Sequence, residues 1–187
     1  MNRGNNQVYG TIQLRLDDLT QGMPGLTQHE GGSLAEAASV CLEEQNHAHE
    51  ASLRCIGSIR ATYTLYRLDV TQQMRNTYND YDNTTERGAC AIAILVITRV
   101  ADSLVLHRSD KGTGIDYWLG PTDDLLFQSA LRLEVSGIRN GDNNQVNARV
   151  RQKLKRLRKY NSSLPAYITV VEFSKPLIKV LKHGRNN

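Results

Sequence analysis

Asp116 and Glu134 are the two side chains in this sequence best suited to hold a hard cation. They stand in KGTGIDYWLGPTDDLLFQSALRLEVSGI, residues 111 to 138, each within a short segment that alternates like a strand. In IDYWL, Asp116 shares a side with Gly114 and Trp118, and Ile115, Tyr117 and Leu119 take the other. In ALRLEVSGI, Leu131, Leu133 and Val135 face one way and Arg132, Glu134 and Ser136 the other. Adjacent strands carry side chains about 5 Å apart, so two such carboxylates can share one ion. Mg²⁺ or Mn²⁺ binds a few hard oxygens and keeps water in its other positions, so Asp116, Glu134 and the carbonyl of Val135 form a sufficient set. An ion held this way meets the two needs of phosphodiester hydrolysis: a nucleophilic water at neutral pH, and relief of charge building on the phosphoryl oxygens.

Further residues extend this reading. Glu86 lies one turn into an apolar helix and would serve as a supporting acid, through water or a second ion. A cation must also stabilise negative charge at the reacting phosphate. Lys111, in the Gly-rich turn, and Lys153, close to the apolar stripe of a basic helix, are the candidates. Ser136, two residues after Glu134, offers only a hydroxyl. From Arg149 to Lys159 seven of eleven residues are Lys or Arg and none is acidic, which suits a polyanionic partner. Arg132, Arg149, Lys155, Arg156 and Lys159 are expected to meet backbone phosphates, with salt-sensitive binding and little base readout. Gln128 and Arg132 are also placed to support the ligands. Tyr117 reads as core packing, and Trp118 as either core or a base-stacking platform.

Other chemistries find less support. The nucleotide-binding patterns GxGxxG and GxxxxGK[ST] are absent, as are GxSxG and HExxH. Cys41, Cys55 and Cys90 are odd in number, lack CxxC spacing and sit among apolar neighbours, as buried thiols of a reducing compartment do. His47 and His49 have no third ligand spaced nearby and read as part of a polar turn. A length of 187 residues allows one well-buried domain, or a main domain with a small appendage. The net charge of +4 says less than its concentration on one helix. No apolar run approaches the roughly 20 residues of a membrane span, and MNRGNNQVYG has no leader pattern, so a cytoplasmic chain without membrane association is expected.

The elements that must position these groups follow from periodicity and capping. Residues 7 to 17 alternate as a strand, and a Gly-rich loop follows to Gly32. Ser33 with Glu36 forms a capping box for a helix carrying Leu34, Ala37, Ala38, Cys41 and Leu42. Residues 51 to 70 read as two strands broken at Gly57 and Ser58, and 71 to 83 as a polar loop. Asp82, Asn83 or Thr84 caps a helix that is apolar nearly all round after Arg87, hence a central buried one. Strands are expected at 103 to 109, in IDYWL and in ALRLEVSGI, with a polar loop or short turn over 121 to 129. A basic helix over 143 to 160 carries Val146, Val150, Leu154 and Leu157 as its stripe. LPAYITVVEF is a β-branched strand, and KPLIKVLKHGRNN a strand or extended tail.

From residue 83 the order is helix, three strands, helix, strand, with GID (Asp116) and EVS (Glu134, Val135, Ser136) on successive strands. This stretch resembles the core of the PD-(D/E)XK, or restriction-endonuclease-like, nuclease superfamily. KGTGIDYWLG and RLEVSGI also look like phrases of uncharacterised bacterial proteins. The superfamily resemblance implies an α/β fold with the nuclease-like core over 83–187. A small α+β extension, 1–82, would pack on it. It also implies that Glu86 matches the acid often found on the first core helix. Ser136 occupies the position of the family's lysine, and members exist whose cation comes from another element, as Lys111 or Lys153 would here. The implied function is a Mg²⁺- or Mn²⁺-dependent nuclease acting on DNA or RNA, in bacterial antiviral defence or mobile-element biology. The alternative is a catalytically degenerate subunit that binds nucleic acid, a protein partner or a second copy of itself.

Overall fold

The computed structural model describes residues 12–110, 112–121, 129–159 and 164–184. Lys111 and Gln128 lie outside this set, as does most of the segment expected to be a loop over 121 to 129. The described residues form a mixed α/β structure. Its strands are β1 (Ile12–Arg15), β2 (Glu50–Gly57), β3 (Ala61–Tyr66), β4 (Leu104–Arg108), β5 (Tyr117–Gly120), β6 (Leu131–Ile138), β7 (Ala166–Glu172) and β8 (Leu177–His183). Its α-helices are α1 (Gln28–Glu44), α2 (Gln72–Thr77), α3 (Tyr81–Ala101) and α4 (Asn143–Leu157), and a 3-10 helix spans Leu16–Gln21.

All eight strands join one sheet in the order β1-β3-β2-β8-β7-β6-β5-β4. Every residue of β7 is buried, as its continuous apolar run requires of a strand covered on both faces. β6 and β7 run parallel with α4 as the crossover between them, whereas β4, β5 and β6 are antiparallel neighbours. Alternation along the strands sends Leu133, Val135 and Val171 into the core under α1 and α3, while Ala166, Ile168 and Val170 pack on the opposite side with α4. The expected succession helix, three strands, helix, strand is present as α3, β4, β5, β6, α4 and β7.

α3 is the buried helix that its composition demands, with Ala89 and the run from Ala91 to Ile94 fully enclosed. Gly88 lets α1 approach: a Cβ there would sit 2.9 Å from the Ala38 Cα and 3.0 Å from the Cys41 Sγ. The 1–82 region continues the main sheet, through β2 paired with β8, and packs α1 on α3.

Several local expectations are corrected. α1 begins at Gln28, capped by the Thr27 hydroxyl, and Ser33 instead bonds Tyr78 and Arg87. The supposed polar loop after residue 70 contains α2, started by the Thr71 cap and held down by buried Met74. Asp80, rather than a residue from 82 to 84, caps α3. The first strand gives way after Arg15 to the 3-10 helix, which buries both Leu16 and Leu19 on the core. The C-terminal segment, expected as a strand or extended tail, is a strand, β8, and lies inside the sheet between β7 and β2.

β4 carries an irregularity. Val105 pairs with Leu119, but His107 pairs with Trp118, so Leu106 is an extra residue and the strand bulges there. Gly25 seats against this point, donating to the Val105 carbonyl at 2.8 Å, and a Cβ on it would stand 2.3 Å from the Leu106 backbone.

Candidate active site

The register of β5 on β6 sets Tyr117 opposite Leu133 and Trp118 opposite Arg132, so Asp116, one residue before β5, comes opposite Glu134. The backbone ladder continues one step beyond the strand, with Asp116 donating its amide to the Leu133 carbonyl at 2.8 Å. There the ladder stops. The Val135 amide, which would otherwise lack a strand partner, donates to Asp116 Oδ2 at 2.7 Å. Within a strand the N–H and C=O of one residue leave on the same side, so the Val135 carbonyl also points toward Asp116. Held on the Val135 amide, the Asp116 carboxyl is near enough for its charge to act on Glu134.

Glu134 is 2 % exposed, and Lys153 of α4 donates to its Oε1 at 2.7 Å. The placement of Lys153 follows from helix geometry. Val146 and Val150 turn into the sheet, and Lys153, one turn beyond Val150, emerges at the border of that stripe facing β6. Arg149, one turn earlier on the same edge, donates to the Ser136 hydroxyl at 3.1 Å. Two α4 cations therefore stand over the alternate β6 positions 134 and 136, on the side where Ser136 supplies no charge.

These groups line one cleft of about 530 Å³. Asp116, Glu134, Val135 and Ser136 are at its sheet side, with Lys153 and Arg156 on the α4 wall. Glu86 lines the α3 wall from an exposed position. Glu30, Arg87 and Arg108 lie on the remaining lip, where Glu30 bridges Arg87 at 3.0 Å and Arg108 at 3.5 Å. Sequence reasoning passed over these three. Arg87 adjoins Glu86 in sequence, but nothing in periodicity reveals that Glu30, from the first turn of α1, arrives beside it.

Other expected residues are placed differently. Arg132 is buried, at 4 % exposure, with its guanidinium donating to the Leu164 carbonyl, so it holds the approach to β7 rather than offering a surface to phosphate. Lys155 on α4 and Lys159 in the turn just after it are exposed but do not line the cleft. With Arg151, Arg156 and Arg158 they have no ion-pair partner among the described residues. His47 is engaged by the Phe173 carbonyl at 2.8 Å.

Burial, reinforced by the neighbouring Asp116, pushes the Glu134 carboxyl up to about 7, against the opposing pull of Lys153. The site thus holds two carboxyl groups against one ammonium, Lys153, which pairs with Glu134, and the remaining charge calls for a proton or a cation. A divalent ion fits that demand: two adjoining carboxylates and a strand carbonyl are hard oxygen donors. No group of three His, Cys, Asp or Glu side chains gathers among the described residues, so water would complete the shell, as Mg²⁺ favours. Cys90 also lines the cleft, but burial pushes its thiol up to about 12, and Tyr117 beside it is raised as well. A thiolate nucleophile is therefore not available here at neutral pH.

No family model, curated protein or solved structure matches the chain. No described helix is long and apolar enough to cross a membrane.

Proposed function

We propose that this protein is a divalent-metal-dependent phosphodiesterase acting on nucleic acid, built on a restriction-endonuclease-like core. The observation that carries the proposal is buried Glu134 paired with Lys153 at 2.7 Å, with the Asp116 carboxyl held on the amide of the next residue, Val135. Asp116, Glu134 and the Val135 carbonyl would hold Mg²⁺ or Mn²⁺, which when bound supplies an acidified water and a counter-charge for the phosphoryl oxygens. Lys153 takes the electrostatic role of the missing lysine at position 136, reaching from α4 toward charge that builds on the phosphate. Arg149 orients the Ser136 hydroxyl, and Arg156 binds phosphate at the cleft wall. Glu86, across the cleft, accepts a proton or orients water from the α3 side. Lys155 and Lys159 extend the cationic surface along α4 for flanking phosphates.

A second reading has its own observation. The Lys153–Glu134 ion pair already satisfies one oxygen of the supposed ligand, which also suits a nuclease-fold subunit that binds nucleic acid and has lost cleavage. The two separate on incubation with single- and double-stranded DNA and RNA in Mg²⁺, Mn²⁺ or EDTA. Cutting that needs metal and disappears in Asp116→Ala is the expected result. Salt-sensitive binding that survives Asp116→Ala, with no cutting in any metal, would sink catalysis and favour the binding subunit.

A further inference from the structure

Resting on the phosphodiesterase reading, we propose that the polymer is single-stranded, and that a nucleotide beside the reacting phosphate lays its base in a second cavity against Trp118. Glu134 is at the floor of a cleft walled by α1 and α3 on one side and α4 on the other. Its volume of about 530 Å³ is within the range of roughly 300–1,000 Å³ that encloses one small ligand. One or two nucleotides fit such a space.

The second cavity, of about 490 Å³, is lined by His107, Thr113, Trp118 and Leu164 and shares Arg108, Ser109 and Asp110 with the first. The turn after β4 is thus a ridge between a charged cleft and a more apolar hollow. Trp118 is partly buried against the cluster of Ile115, Leu157 and Ala166 and also lines the hollow. His107 and Arg108 are successive on the strand after the bulge at Leu106 and so face opposite sides. His107 pairs with Trp118 and turns to the hollow, while Arg108 pairs with Tyr117 and reaches the cleft lip beside Glu30. A chain crossing the ridge therefore meets a guanidinium for its phosphate and an indole for its base. Asp110, the acid on the ridge, sets how far the backbone can slide toward it. Stacking needs an exposed base face and tolerates any base, which is available in a single strand and hidden in a duplex.

Trp118 is the only tryptophan of the chain, so its fluorescence reports this contact directly. The full chain in EDTA is titrated with a ten-nucleotide single strand of DNA, the same in RNA, and the DNA duplex, while a fluorescein label on each follows binding by anisotropy. Expected are quenching of Trp118 by a single strand and at least tenfold weaker binding of the duplex. Trp118→Phe keeps the affinity, and Trp118→Leu loses about tenfold. His107→Ala, an exposed position, loses several-fold with the fold unchanged by circular dichroism. Duplex binding as tight as single-strand binding, or saturating single strand that leaves Trp118 fluorescence unmoved, overturns the inference. Failure of the two proposals is distinguishable. Metal-dependent cutting of duplex without quenching removes only the substrate class, and quenching by single strands without cutting in any metal removes only the phosphodiesterase.

Discussion

Glu134 concentrates the chemistry of this molecule because it is ionisable, buried and flanked by one charge of each sign. Its folded carboxyl holds a proton up to about pH 7, where the unfolded chain releases it near 4.5. Between those values the native state binds more protons than the unfolded one, so this group's contribution to stability declines as pH rises from about 4.5 to about 7 and is level above. Urea midpoints at pH 5 and pH 8 should therefore differ less in Glu134→Gln than in the wild type; equal pH dependence in both would refute the burial argument. Lys153 offsets part of the strain. Lys153→Met should lower the unfolding free energy by about 1–3 kcal/mol at pH 8 and by less at pH 5, where a protonated Glu134 no longer needs a counter-charge. The same variant should retain metal-dependent binding of nucleic acid while losing most of its cutting, since the water and charge chemistry separate from phosphate contact along α4.

At the scale of elements, α4 and β6 were legible because each has a single strong period. Val146 and Val150 mark the buried stripe of α4, and the Arg132, Glu134 and Ser136 alternation marks one face of β6. The use of that face was only partly legible, since whether Arg132 is covered depends on the carbonyl of Leu164, more than thirty residues away. α2 was hidden because six residues show less than two turns of periodicity, and its anchor is a methionine among polar neighbours. The bulge in β4 leaves no compositional mark. Contacts between elements also set where the proposed catalytic groups stand. A Cβ on Gly137 of β6 would meet the Thr85 carbonyl at 2.5 Å, and Thr85 immediately precedes Glu86. Gly137→Ala should thus destabilise the protein by about 1–3 kcal/mol and displace the first turns of α3. Its effect on cutting should exceed that of an exposed-site control such as Gln152→Ala, measured side by side.

The whole molecule is organised around one sheet whose order the sequence conceals. β8, from the end of the chain, lies between β7 and β2, and thereby joins the first strands to the core. A division at residue 82 marks where the recognisable succession of elements begins, yet no gap in packing follows it. α1 covers α3, and Arg139, after β6, ion-pairs with Glu44, bonds the Thr85 hydroxyl and stacks on Tyr81 at 4.7 Å. The fragment 83–187 should accordingly elute as aggregates in size exclusion, because it bares the β8 edge and the apolar face of α3. A monomeric, cooperatively unfolding fragment would show that the first 82 residues are an accessory. Glu30 and Leu34 also belong to the cleft wall, so even a folded fragment would present a wider opening than the full chain.

The extra residue in β4 has a consequence in parity. On a regular strand, odd and even positions own opposite faces, and no substitution can change that assignment. β4 switches parity at Leu106, so the ridge side chains are assigned by a count rather than by their chemistry. Deleting Leu106 would restore a single parity. His107 would then follow Val105 directly and still pair with Trp118, and Arg108 with Tyr117, so both side chains would keep their present sides on an unbroken ladder. Variation in this protein is therefore best read at that position as length: Leu106 is the residue whose loss the pairing of His107 and Arg108 tolerates.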